Sequence, residues 1–294
     1  MLGKEHVLST LIFAITFVYI AIFQHFYVIK TPLTVQQMMF DLANLPEIDY
    51  IYIGLFIVAM LMASTAPDID VEQPISVVKR RRFLSSLWFT IVKYIAYLPM
   101  AFLLSFSKNS NEDIGHRKIF HSLYGAISYT ISIVIIFIII LTLFFIVLNY
   151  KNTKELNSNT IGSYINQSVV IVKNYWNFVF VFLIGSFLGF MAHLFEDSLT
   201  VSGIVYLPFI TNIGLKGRLR TGSKEFYELR NVGIVGRSWF GMVMIWVFNI
   251  AFIFVYYYYN LYLLSLINVI IIYVVGIFIF LKIFAGLKFS RFNR

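Results

Sequence analysis

Apolar runs long enough to cross a bilayer recur along the whole chain, separated by short polar stretches. Residues 7–29 form the first, and about 20 apolar residues suffice for a crossing. A shorter run at 50–66 ends at Pro67. The most apolar stretch is 127–148, followed by 175–200, 239–259 and 261–284. The pattern predicts six transmembrane helices, hence an all-α polytopic membrane bundle. Between them, 31–49 (with Pro32 and Pro46) and 150–173 (rich in Asn, Ser and Thr) read as loops. Residues 201–237 read as a basic connection and 288–294 as a basic tail. Residues 83–106 are apolar but contain Lys93, Pro99 and several serines, which predicts an interfacial or re-entrant helical hairpin. The first run exceeds the ~7–15 residues of a signal h-region and no small-residue cleavage site follows, so it reads as a retained span.

Composition supports this reading. The 294 residues are 60% hydrophobic and 13% charged, against roughly 25% charged in soluble domains. Residues 1–294 therefore read as one integral membrane domain, with the polar motifs in 1–237, two C-terminal spans in 239–284 and a tail from 285 to 294. The net charge of +9 matters less than its distribution. If 83–106 does not cross, all of the 23 Lys and Arg except Lys30, Lys151, Lys154 and Lys173 fall on the side of the termini. Cytoplasmic loops collect Lys and Arg, so both termini are expected in the cytoplasm. A basic balance in a soluble chain would raise nucleic acid as a partner; here membrane insertion accounts for it.

The same topology brings chemistry to one face. His6, Asp68, Asp70, His116, His121, His193 and Asp197 all fall on the cytoplasmic side, and only His25 lies opposite. His193 and Asp197, four apart, share one helix face and suit a single ion; a His–Asp hydrogen bond between helices is the competing reading. Asp68 and Asp70 follow Pro67, as paired ligands or as helix-terminating residues. His116 and His121 are five apart, about 140° past a full turn, so they converge only if His116 precedes the helix. Gly115 suggests such a boundary. Cysteine is absent, so any metal is held by His and carboxylate, which favours zinc or another first-row divalent ion. A catalytic zinc takes about three protein ligands; seven ligand-type groups leave room for one ion or two.

Three motifs carry a resemblance: Pro67-Asp68-Ile69-Asp70, then Gly115-His116-Arg117-Lys118-Ile119-Phe120-His121-Ser122, then the run from Gly189 to Thr200 containing His193-Leu194-Phe195-Glu196-Asp197. In this order, with His6 ahead of the first span, they resemble the YdjM-like family of bacterial inner-membrane metal-dependent hydrolases. Phe120 stands where that family usually has Thr, and Val201 where it often has Pro; no ligand-type residue is affected. The order of ligand types is also similar to zinc-dependent phospholipase C and single-strand nucleases. These resemblances imply hydrolysis of a phosphate ester, a lipid phosphate above all, by a metal-activated water at the cytoplasmic face. Arg117 or a second metal is then expected to hold phosphate oxygens, and Asp68 or Asp70 to act as ligand or general base. Ser223 and Glu225, in the basic connection, are candidates for substrate contact. The alternatives are a cation or proton transporter, which needs polar groups at mid-membrane, and a non-enzymatic membrane protein whose basic loops recruit a cytosolic regulator.

Overall fold

The computed structural model describes residues 3–29, 47–67, 121–153, 158–200, 203–207, 210–211, 213–219 and 238–291. Among them are seven α-helices: α1 (Gly3–Ile29), α2 (Glu47–Ala63), α3 (Leu123–Thr153), α4 (Ser158–Asn174), α5 (Trp176–Ser198), α6 (Ser238–Tyr258) and α7 (Leu266–Phe284). A two-stranded ribbon joins β1 (Ile213–Lys216) to β2 (Lys288–Arg291). Stretches of α1, α3, α5, α6 and α7 are long and apolar enough to span a membrane. At 17 residues α2 is about 25 Å long, close to the ~30 Å hydrocarbon thickness.

Several of these helices are rich in β-branched residues, α7 above all, and in water that composition would favour strands. In lipid the backbone must satisfy its own hydrogen bonds, and a helix does so within one segment. Side chains then sort by contact rather than polarity. Ile127, Ile131, Ile135 and Ile139, one turn apart on α3, form an exposed apolar stripe suited to lipid. Tyr129, Ile133 and Ile136 of the same helix pack inward with Ala63, Phe190 and Leu194. A second core joins α1, α6 and α7 through aromatic rings, with Tyr256 and Tyr273 buried. There the Tyr273 hydroxyl donates to Asn249 Oδ1 at 2.7 Å.

The contact that positions the site is the crossing of α2 and α5. A Cβ placed on Gly189 would stand 2.1 Å from the Met60 carbonyl oxygen, and one on Gly185 2.7 Å from the Phe56 carbonyl oxygen. Two glycines one turn apart let the backbones touch, the packing that small residues permit in membranes. No side chain other than hydrogen fits there.

Two expectations are corrected. Residues 150–173 are not a loop: α3 continues to Thr153 and α4 follows from Ser158. α4 runs almost directly into α5, and Thr142 Oγ1 donates to Ser168 Oγ across the α3–α4 contact at 3.1 Å. Ile161, Ile165, Val169 and Val172 recur at helical spacing, a signal masked by the surrounding Asn, Ser and Thr. The last span begins at Leu266 rather than 261, because Asn260 turns the chain at a positive φ of 51° and Ser265 caps the helix by accepting from the Asn268 N–H. Lys288–Arg291 pairs antiparallel with Ile213–Lys216, and the Arg218 N–H donates to the Ala285 carbonyl. The hairpin expected at 83–106 lies outside the described residues.

Candidate metal centre

Four chain segments meet at one end of the bundle: the start of α1, the end of α2, the residues just before α3 and the last two turns of α5. They bring together His6, Ser64, His121, His193, Glu196 and Asp197, each at most 1% exposed. Asp197 is the hub. Its Oδ2 lies 3.6 Å from His193 Nε2 and 3.8 Å from His121 Nε2, while Oδ1 lies 3.6 Å from His6 Nε2. His6 and His193 stack, with ring centroids 3.8 Å apart at 21°.

The far nitrogens are held as well. His193 Nδ1 lies 2.6 Å from the Ser64 carbonyl oxygen. A carbonyl only accepts, so Nδ1 donates, and Nε2 is the nitrogen that faces Asp197. This reach depends on the glycine crossing, since Gly189 and Met60 sit one turn before His193 and Ser64. His6 Nδ1 lies 2.6 Å from Glu196 Oε2, a carboxylate–histidine pair that likewise turns Nε2 inward. Back-side hydrogen bonds of this kind fix the tautomer and orientation of metal-binding imidazoles.

The spacing fits an ion. Separations of 3.6–3.8 Å exceed the ~2.7–3.2 Å of a hydrogen bond. They approach the roughly 3.3 Å between ligands of a tetrahedral zinc with bonds of about 2.0–2.1 Å. One ligand atom each from His6, His193 and Asp197 falls within 4.8 Å of the others. Imidazole nitrogen and carboxylate oxygen are ordinary donors to zinc and similar divalent ions. With neutral imidazoles, the two buried carboxylates make the set anionic, a charge that a bound cation would balance.

The structure thus brings together His6, His121, His193 and Asp197 of the sequence-derived candidates. Asp68, Asp70, His116, Arg117, Ser223 and Glu225 lie outside the described residues. Glu196 was missed: it lies inside the third motif, three residues after His193, and a carboxylate in a membrane helix is costly enough to be a signal by itself. Tyr206 was also missed. Its carbonyl accepts at 2.9 Å from the Leu123 N–H, two residues after His121, and burial, opposed by Ser198 and reinforced by the Asp197 charge, pushes its phenol above the ordinary value.

Comparison with known proteins adds one positive finding. The family model described as YdjM inner membrane protein matches residues 1–267, which takes in all four segments of the cluster. No curated protein and no solved structure matches the chain.

Proposed function

Starting from the premise that the chain belongs to the YdjM inner membrane protein family, we propose that it is a membrane-embedded, metal-dependent hydrolase of phosphate esters, working at the cytoplasmic face. The observation that carries this reading is the orientation of the cluster. Three imidazole Nε2 atoms point at one carboxylate at 3.6–3.8 Å, and two of the rings are held from behind by Glu196 and the Ser64 carbonyl.

His6, His193 and Asp197 would hold the ion, with His121 beside them. A divalent ion in such a site acts as a Lewis acid and makes water nucleophilic near neutral pH. The chain's own part is to keep the donors deprotonated and aimed. Glu196 accepts the His6 Nδ1 proton, Ser64 accepts that of His193, and the tight α2–α5 crossing holds both helices in register. The helices bury the donors from bulk water, which strengthens electrostatic interactions within the site. Arg117, Asp68 and Asp70 keep their proposed roles as phosphate clamp and additional ligands, with Asp68 also as general base. The excess of Lys and Arg in the loops on this side supports the cytoplasmic orientation.

The test is elemental analysis of protein purified without chelator, beside phosphate release from phosphatidic acid in mixed micelles. The wild type is expected to hold about one or two equivalents of zinc, and His193→Ala to lose the metal and the activity together. A correctly folded wild type that neither retains nor takes up a divalent ion overturns the reading.

A further inference from the structure

Next to the cluster lies an apolar cavity of about 310 Å³, walled by α1, α5 and α7. Its position is set by helix periodicity. Phe13 and Phe17 of α1 line it, and they follow His6 by 7 and 11 residues, within about 20° of the same face and about 10 and 16 Å along the axis. Ala192 and Phe195 of α5, which also line it, flank His193 and Glu196 in sequence. Val274 and Ile277 close the side formed by α7. The cavity therefore starts beside the cluster and extends away from it into the membrane-spanning part of the bundle.

Tyr206 belongs to both places. Its side chain lines the cavity, while its backbone carbonyl accepts at 2.9 Å from the Leu123 N–H, two residues after His121. Among the described lining residues, Tyr206 and Tyr273 alone carry a side-chain oxygen, and the Tyr273 hydroxyl is engaged by Asn249. A polar end joined to an apolar shaft matches an amphiphile. The volume sits at the low end of the ~300–1,000 Å³ typical of ligand pockets. It suits one hydrocarbon chain and not a whole two-chain lipid.

We infer that this cavity holds one acyl chain of a phosphate-bearing membrane lipid whose head group lies at the His6–His193–Asp197 cluster. The inference rests on the hydrolase reading for what happens to the head group, but the placement of the chain is a separate claim. A chain moving from bilayer to protein exchanges one apolar environment for another, so the cavity contributes little binding free energy of its own. Its effect is positional. Seating one chain along α1 brings the phosphate of the same molecule up to the metal donors and disfavours soluble esters that have no chain to seat.

Photolabelling tests the placement directly. Phosphatidic acid carrying a diazirine midway along one acyl chain is mixed with the full-length protein in phosphatidylcholine vesicles and photolysed. The expected label maps to the cavity walls, on peptides containing Leu188–Phe195 and Tyr273–Phe278. Val274→Trp fills the cavity from a side chain that is 54% exposed and is expected to reduce that label about tenfold. Turnover of a short soluble phosphate ester and metal content should stay unchanged. Leu188→Trp, on the opposite wall, should do the same, so the result does not hang on one variant's folding. Label spread over the lipid-facing stripe from Ile127 to Ile139 overturns the inference, as does equal cavity labelling by a diacylglycerol probe of the same chain. Cavity labelling by phosphatidic acid in a protein without metal or turnover leaves the chain site standing and removes only the hydrolase reading.

Discussion

Replacing Gly189 with alanine tests whether backbone contact between α2 and α5 builds the site. The added Cβ would sit 2.1 Å from the Met60 carbonyl oxygen, and 2.7 and 2.8 Å from two more Met60 backbone atoms. Backbone cannot rotate out of the way as a side chain can. To restore a contact of 3.4 Å, the near edge of the ordinary van der Waals range, α2 must retreat about 1.3 Å, a strain of the kind that overpacking imposes. The same retreat stretches the 2.6 Å contact between His193 Nδ1 and the Ser64 carbonyl to about 3.9 Å, beyond hydrogen bonding. Overpacking costs about 1–3 kcal/mol, and the lost bond to a buried group about 1–3 more. Alanine's helix preference over glycine offsets only about 1 kcal/mol. The net destabilisation is thus about 1–5 kcal/mol, accompanied by weakened metal binding as His193 loses its orientation. Gly54→Ala on α2 is the control, since nothing lies within 4 Å of its Cβ position and the same propensity gain applies. The assay is thermal unfolding in detergent with a zinc titration alongside. If Gly189→Ala unfolds at the same temperature as Gly54→Ala and binds zinc equally well, the reasoning is wrong.

Two further substitutions probe other links. Glu196→Gln keeps the shape but removes the charge behind His6, so zinc affinity should fall about 10–100-fold, as for other back-side partners; an unchanged affinity in competition with a chromophoric chelator would remove Glu196 from the site. Tyr273→Phe deletes the hydroxyl that reaches Asn249 at 2.7 Å in the second core. It should cost about 0.6–2 kcal/mol, the range for hydrogen bonds between membrane helices, and leave metal content as it was; a loss of metal would mean that this core and the site are coupled in a way the structure does not explain.

Much of the architecture could be read from the chain. Long apolar runs in a polypeptide that must satisfy its own backbone become helices whatever their intrinsic propensity, so the membrane class followed from run length, and five of the six expected spans fall on described helices long and apolar enough to cross. At 150–173 the polar composition predicts a loop, whereas the spacing of its apolar residues gives a helix. In α4 four apolar residues at helical intervals outweigh the Asn, Ser and Thr between them, and α3 supplies a neighbour.

For the site, residue types and the side of the bundle were legible because apolar runs alternate direction and polar residues collect at their ends. The sequence by itself could therefore nominate His6, His121, His193 and Asp197 as neighbours. It could not tell a hydrogen-bonded His–Asp pair from a cage, since that turns on which ring nitrogen faces inward. Only the tertiary structure shows which nitrogens face inward: Ser64 and Glu196 occupy the back nitrogens of His193 and His6, and two glycines bring α2 close enough for Ser64 to reach. The cavity beside α1 is likewise invisible along the chain, because its walls come from three helices together with Tyr206 and Leu215, whose separation is set by packing and not by any local pattern.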